Sequence, residues 1–255
     1  MIDELDSKII KLMKTVNERT LSRMNEPYQV ATKTHFNDLV TSVDKENEQY
    51  IDDYLRRVDP DCQILSEEGL GTRDIKDVAG HVWIVDPIDG TLNFVKQRNY
   101  FGIMLALYID GQPTLGYIMD SKNSRLYHGG PGRGVYVDDQ KIEAPGNLDL
   151  RDGLIAISSP LILENEYHLP AVAESASGLR MYGSAAMEMI GMITGELVGY
   201  VSHLKPWDLA AGRAMAEELG LVVKSIDGTT PDVLSSNLVL IATRQASQNI
   251  AKIIG

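Results

Sequence analysis

Asp86 and Asp89 stand three residues apart around Pro87, at the end of the apolar run Trp83-Ile84-Val85, and the chain then enters a glycine turn at Gly90. Carboxylates at the end of an apolar strand occupy the place where open α/β folds put ligands. Pro87 fixes its own φ and pushes Asp86 toward extended backbone, which holds the pair in a bent, preset arrangement. If a helical turn opens at Gly90, the free N–H groups of Gly90, Thr91 and Leu92 face the same point, and such groups favour an anion. Carboxylates beside an anion-binding nest imply a cation between them. A lone Asp-x-x-Asp is more simply an acidic turn, but the whole stretch 83–94 is far more specific.

Acids stand beside turn or helix-start signals at three other places: Asp44, the pair Glu67 and Glu68, and Asp208 in Trp207-Asp208-Leu209-Ala210-Ala211-Gly212. Taken singly, Asp44 and Asp208 read as helix caps, and Glu67 with Glu68 as a solvated turn. A hard divalent ion such as Mg²⁺ takes oxygen ligands of this kind, from a few carboxylates and a substrate phosphate. The histidines, at 35, 81, 128, 168 and 203, show no zinc spacing.

These residues need elements to position them. Leu5, Ile9, Leu12, Met13 and Val16 recur at helical spacing and predict a helix over 3–24, and Tyr50, Ile51, Tyr54, Leu55 and Val58 a second over about 44–58. The polar segment 33–38 between them reads as an exposed loop or flexible hairpin, and 62–65 as a short strand. Strands at 101–109, 113–120, 125–128 and 134–142, with an Asp110-Gly111 turn, predict an antiparallel meander. The glycine-rich run 129–134 lacks the lysine of a P-loop and reads as a wide hairpin turn. Past Pro145 strands and helices alternate: strand 154–158, helix 164–177, strand 179–182, helix 184–194, strand 197–202 and helix 207–219. Strands 221–225 and 237–242 and a C-terminal helix follow. A second, more parallel sheet is implied, and the expected division is a subdomain at 1–150 and another at 151–255.

The bulk composition sets limits. Of 255 residues, 44% are apolar and 24% charged, as in ordinary globular proteins. The formal charge of −12 opposes nucleic acid, so an anionic substrate would need bound metal to reverse the local sign. One cysteine, Cys62, excludes an internal disulfide and fits a reducing cytoplasm. The acidic start 1–6 is unlike a signal peptide, and no apolar stretch is long enough to cross a bilayer. A cytoplasmic protein with no membrane partner is expected.

Together the motifs resemble the inositol monophosphatase family of Mg²⁺-dependent, lithium-sensitive sugar phosphatases. Asp-Pro-Ile-Asp-Gly-Thr followed by Asn-Phe stands at 86–94, Trp-Asp with small residues and a glycine at 207–212, the acidic pair at 67–68, and Asp-Leu-Val-Thr-x-x-Asp at 38–44. The resemblance covers nearly the whole chain and implies the layered αβαβα sugar-phosphatase fold, an α/β class. It implies that Glu67, Asp86 and the Ile88 carbonyl hold one Mg²⁺ while Asp86, Asp89 and Asp208 hold another. By the same resemblance, Thr91, Asp44 and Glu67 form the catalytic set and activate a water. Gly90 and Thr91 hold the phosphate, Ser184 and Ala185 lie on the substrate side, and Lys33 is an active-site loop lysine. The family is commonly homodimeric. Inositol-selective members carry a glutamate where this chain has Val201, after Tyr200; that departure implies a more permissive pocket, open to fructose 1,6-bisphosphate or NADP. A non-catalytic regulator binding metal and phosphate is the remaining alternative, but it has no need of Thr91 and Asp44.

Overall fold

The apolar stripe of residues 5–16 is buried along one helix, α1 (Ile2–Arg23), in the computed structural model, which describes residues 2–71, 75 and 77–255. A small hairpin of β1 (Val30–Thr32) and β2 (Leu39–Thr41) follows, then α2 (Ser42–Val58). The first large sheet contains β3 (Gln63–Ser66), β4 (His81–Asp89), β5 (Gly102–Ile109), β6 (Gln112–Asp120), β7 (Arg125–Gly130), β8 (Gly134–Val137) and β9 (Gln140–Lys141), paired in that order, with α3 (Thr91–Gln97) between β4 and β5. Every pairing is antiparallel except β3 with β4. After it come β10 (Leu154–Ile157), α4 (Ser159–Leu163), α5 (Leu169–Ser175), β11 (Gly178–Arg180), α6 (Ala185–Thr194), β12 (Gly199–Leu204), α7 (Pro206–Glu218), β13 (Val222–Ser225), β14 (Asn237–Ala242) and α8 (Arg244–Ile254). Their strands form a mixed sheet in the order β11-β10-β12-β14-β13. Its parallel pairings are β10 with β11 and β10 with β12.

The layers alternate. α1 and α2 cover one face of the first sheet, α6 and α7 lie between the sheets, and α5 and α8 cover the far face of the second. The central strands are therefore buried on both sides, and their residues divide by period two. On β5, Ile103, Leu105 and Leu107 face α1 and α2, whereas Met104, Ala106 and Tyr108 face α6 and α7. Gly102 and Gly116 allow the middle helices to come close, since a side chain at either would collide with Ala186 or the Ala211 carbonyl.

Three sequence expectations change. The helix expected over 164–177 shortens to α5, because α4 ends at Leu163 and Asn165, Tyr167 and His168 take positive φ before Leu169. Pro170 explains the break, because it has no N–H for the interior of a helix and so falls in the first turn of α5. The strand expected over 134–142 divides into β8 and β9 at Asp138, whose φ is +52°. The glycine-rich run forms a tight turn instead of a wide one: the Arg133 N–H donates to the Gly130 carbonyl, and β7 and β8 pair up to Gly130 and Gly134. Among the described residues no helix is long and apolar enough to cross a membrane.

Candidate active site

Residues three apart in a regular strand face opposite sides, yet the Asp86 and Asp89 carboxylates converge. The cause is a bulge. Asp86 pairs with Met104 and Asp89 with Gly102, so β4 spends one residue more than β5 over that interval. Pro87, which cannot donate to the ladder, lies inside it. The bulge turns Asp89 to the side of Asp86, toward α6 and α7. Asp208 arrives there from the first turn of α7, and one carboxylate oxygen of each of the three lies within 4.8 Å of the others.

The helix ends fix two of these acids. Asp89 accepts from the amides of Ala185 (3.1 Å) and Ala186 (2.8 Å) and from the Ser184 hydroxyl, so it sits on the N-terminus of α6. Asp208 accepts from the Lys205 amide at 2.8 Å. Ser184 and Ala185, expected beside the substrate, therefore spend their donors on Asp89. Burial raises Asp89 to about 6 in spite of those donors, and burial together with the neighbouring Asp89 charge raises Asp208 to about 8. Asp86 is raised well above the usual carboxylate range, first by burial and then by the charges of Glu67, Asp89 and Asp208. Buried like charges that each draw a proton form a site short of positive charge, and a divalent ion with oxygen ligands fits it.

This arrangement has a measurable consequence. Asp89 and Asp208 hold protons more tightly folded than at their ordinary value of 3.8, so their contribution is most favourable below that pH and is lost as pH rises through about 6 and about 8. Melting of the metal-free protein is therefore expected to fall to lower temperature between about pH 5 and pH 8.5. Added Mg²⁺ should restore more at the higher pH, because the ion replaces the protons. A flat melting profile without metal, followed by scanning calorimetry, would contradict the cluster's charge.

Thr91 opens α3 behind Gly90, whose φ of +81° suits glycine. Its Oγ1 lies 2.9 Å from Asp44 Oδ1 and 3.0 Å from the Ile88 carbonyl. Asp44, at the third position of α2, caps the helix by accepting from the Thr41 amide (2.9 Å) and hydroxyl (2.5 Å), while its other oxygen takes Thr91. Burial raises Asp44 despite those donors. Lys33 Nζ, at the start of the loop between β1 and β2, bridges Glu67 Oε1 (3.0 Å) and Glu68 Oε1 (2.5 Å). Burial lowers this ammonium, but the two acids outweigh burial and hold it above its usual value. Burial raises Glu68 to about 7, opposed by Lys33.

Two cavities meet here. One of about 310 Å³ is lined by Glu67, Asp86, Gly90, Thr91, Trp207 and Asp208 among others. A larger one of about 510 Å³ shares Asp89, Gly183 and Asp208 with it and extends past Ser184, Glu188, Tyr200 and Ser202. Trp207 Nε1 is buried with no acceptor among the described residues. Val201, expected at the substrate, is not there. It is fully buried with Ile157, Leu161 and Leu240 toward α5 and α8, because the period-two alternation of β12 sends Tyr200 and Ser202 to the cavity and Val201 to the opposite face.

Some structural supports carry little signal in the sequence. Glu48, fully buried, accepts from Ser66 Oγ and from the amides of Glu68 and Leu70, and so shapes the turn bearing Glu67. Its one clue is its place four residues after Asp44 on α2. Asn93 Nδ2 donates to the carbonyls of Tyr100 and Tyr182 and ties α3 to the turn before α6.

A layered αβαβα fold with carboxylates gathered at a strand end and two helix N-termini is that of a phosphomonoesterase. The chain belongs to the inositol monophosphatase family, whose model matches residues 1–255. It is 34% identical over 242 residues to an inositol-1-monophosphatase of Bacillus subtilis, covering 93% of this chain and 91% of that protein. It is 29% identical over 239 residues to a fructose-1,6-bisphosphatase/inositol-1-monophosphatase of Thermotoga maritima, with 93% and 91% covered. Among solved structures, an IMPase/NADP phosphatase complexed with Mg²⁺ and phosphate superposes with a TM-score of 0.90 at 29% identity, over 98% of this chain and 95% of that one.

Proposed function

We propose that this phosphatase hydrolyses inositol monophosphate or a closely related polyol monophosphate with Mg²⁺ as its cofactor. The observation that carries the reading is the three-carboxylate cluster of Asp86, Asp89 and Asp208, open to a cavity next to a second one large enough for a sugar. Glu67, Asp86 and the Ile88 carbonyl would hold one ion, and Asp86, Asp89 and Asp208 the other. Bound there, the ions supply Lewis acidity toward the phosphate and the leaving oxygen and lower the pKa of a water. Gly90 and Thr91, at the N-terminus of α3, line the smaller cavity, and their backbone N–H groups suit a phosphate. Thr91, its hydroxyl proton directed to Asp44, can accept from a water and orient it. Ser184 and Ala185 act by orienting Asp89, and Lys33 by neutralising Glu67 and Glu68.

The larger cavity bears on the substrate. Among the described residues its lining includes Asp89, Glu188 and Asp208 and no lysine or arginine, with His203 as the one basic side chain. Lys205 lines the smaller cavity, and Arg180 lines neither. A neutral, hydroxylated group fits such walls better than the second phosphate of fructose 1,6-bisphosphate or the diphosphate of NADP. Division into subdomains 1–150 and 151–255, a cytoplasmic location, a homodimer and lithium sensitivity go with this reading. The deciding measurement is phosphate release with and without Mg²⁺ from inositol 1-phosphate, fructose 1,6-bisphosphate, NADP and adenosine 3′,5′-bisphosphate. Mg²⁺-dependent release, fastest from inositol 1-phosphate, is expected. No release at any Mg²⁺ concentration would leave a binding protein, and faster release from a bisphosphate or NADP would move the substrate to that class.

A further inference from the structure

Glu188 is a buried carboxylate in the first turn of α6, at the wall of the larger cavity. Its Oε1 accepts from the Tyr182 amide at 2.9 Å, which steadies the turn leading into α6. Its Oε2 is buried and makes no hydrogen bond among the described residues, and burial raises the carboxyl to about 7 although the Tyr182 and Gly183 amides oppose it. Capping that turn requires a single acceptor, which a glutamine would supply equally well. A second, unmet carboxylate oxygen in a buried site is costly unless something donates to it.

The surroundings restrict the missing donor. Tyr200 and Ser202, on the cavity face of β12, line the same wall, and burial together with the Glu188 charge raises the Tyr200 phenol far above its ordinary value. The cavity continues from Glu188 to Asp89 and Asp208, which it shares with the smaller one beside the carboxylate cluster. The organic part of a substrate with its phosphate at the cluster can extend into this space. A cationic donor is not required, because the hydroxyls of a polyol already carry what Oε2 lacks.

Resting on the phosphatase reading above, we propose that Glu188 accepts a hydroxyl of the substrate's organic group and selects hydroxylated phosphate esters over esters without that hydroxyl. The carboxylate that position 201 lacks is thus furnished by α6. A site with a buried acceptor rejects a ligand that leaves it unpaired, while a purely apolar wall does not.

The test compares wild type, Glu188→Gln and Glu188→Ala on inositol 1-phosphate and on phenyl phosphate. Steady-state rates are measured in saturating Mg²⁺, and calorimetric binding of both esters to the Ca²⁺-loaded protein. Gln retains the acceptor for Tyr182 but turns an N–H₂ toward the cavity. It should lower kcat/KM for inositol 1-phosphate by roughly 10- to 100-fold, chiefly through KM, and change phenyl phosphate by less than about twofold. Ala should cost both substrates, because the turn before α6 and hence Asp89 are disturbed. Equal losses on the two esters in Glu188→Gln, or no loss on either, would overturn the proposal. Should the wild type release phosphate from neither ester, the phosphatase reading fails, and binding still decides Glu188. A preference for inositol 1-phosphate that Gln abolishes supports it, and one that Gln leaves intact, or no preference in the wild type, removes it.

Discussion

Asp86→Asn is expected to lower kcat/KM for inositol 1-phosphate by roughly a thousandfold or more, a few kcal/mol of transition-state stabilisation, while making the metal-free protein more stable. Both effects have one cause. Asp86 faces Glu67, Asp89 and Asp208, whose charges add to burial in raising it. Of the three clustered acids it is therefore the one that repels most when ionised, and the one a bridging role would use most. Asparagine retains the shape and an oxygen for the Ile88 amide, which donates to Asp86 Oδ1 at 3.1 Å. It removes the charge. Urea unfolding at about pH 8 in chelator should then place the variant above the wild type, since removing one of several buried like charges relieves the folded state. Excess Mg²⁺ should reverse the order, by stabilising the wild type more. Near-normal turnover at low Mg²⁺ would refute the metal-ligand role, and a variant less stable than wild type without metal would refute the repulsion.

The sequence disclosed these residues by their types and spacing, but not how they meet. Gly90 punctuates the chain strongly enough to mark where a strand stops and a short helix starts, whereas β4 runs through Pro87 to Asp89. The bulge that turns Asp89 toward Asp86 depends on the register with β5, and a register between strands leaves no mark in either one alone. Val201 shows the same limit. Its alignment with a family glutamate identified a position, but the face of β12 depends on pairing with β10 and β14 and on packing against α5 and α8. Ser184 and Ala185 were legible as a functional turn, whereas their commitment to Asp89 requires α6 to be docked against β4. Glu48 and Glu188 passed as ordinary helix acids because single carboxylates at helical spacing are usually solvated. Layers were easier to read than strand breaks. Apolar period gives the helices and the central strands, but Asp138 and the residues before Pro170 break their elements through local backbone conformation.

Thr91→Val should lower kcat by about 10² to 10⁴ and leave KM within about threefold, the pattern of a group that acts on a proton and contributes little to holding substrate. Thr91 is nearly buried and its hydroxyl has one proton for two neighbouring acceptors, Asp44 Oδ1 and the Ile88 carbonyl. An ionised carboxylate is the stronger acceptor, so the proton goes to Asp44, which the Thr41 amide and hydroxyl hold in place from the other side. The lone pairs of Oγ1 are then available to a water in the smaller cavity, which Thr91 lines. Valine keeps the shape and removes both functions. It also strips Asp44 Oδ1 of a donor in a buried site, so a stability loss of about 1–3 kcal/mol should accompany the fall in rate. Thr91→Ser separates the two contributions: it restores the hydroxyl without the methyl, and should recover most of kcat even if stability stays low. A Ser variant as slow as Val would assign the loss to packing around α3, and a large rise in KM with kcat intact in Thr91→Val would make Thr91 a substrate-binding residue instead.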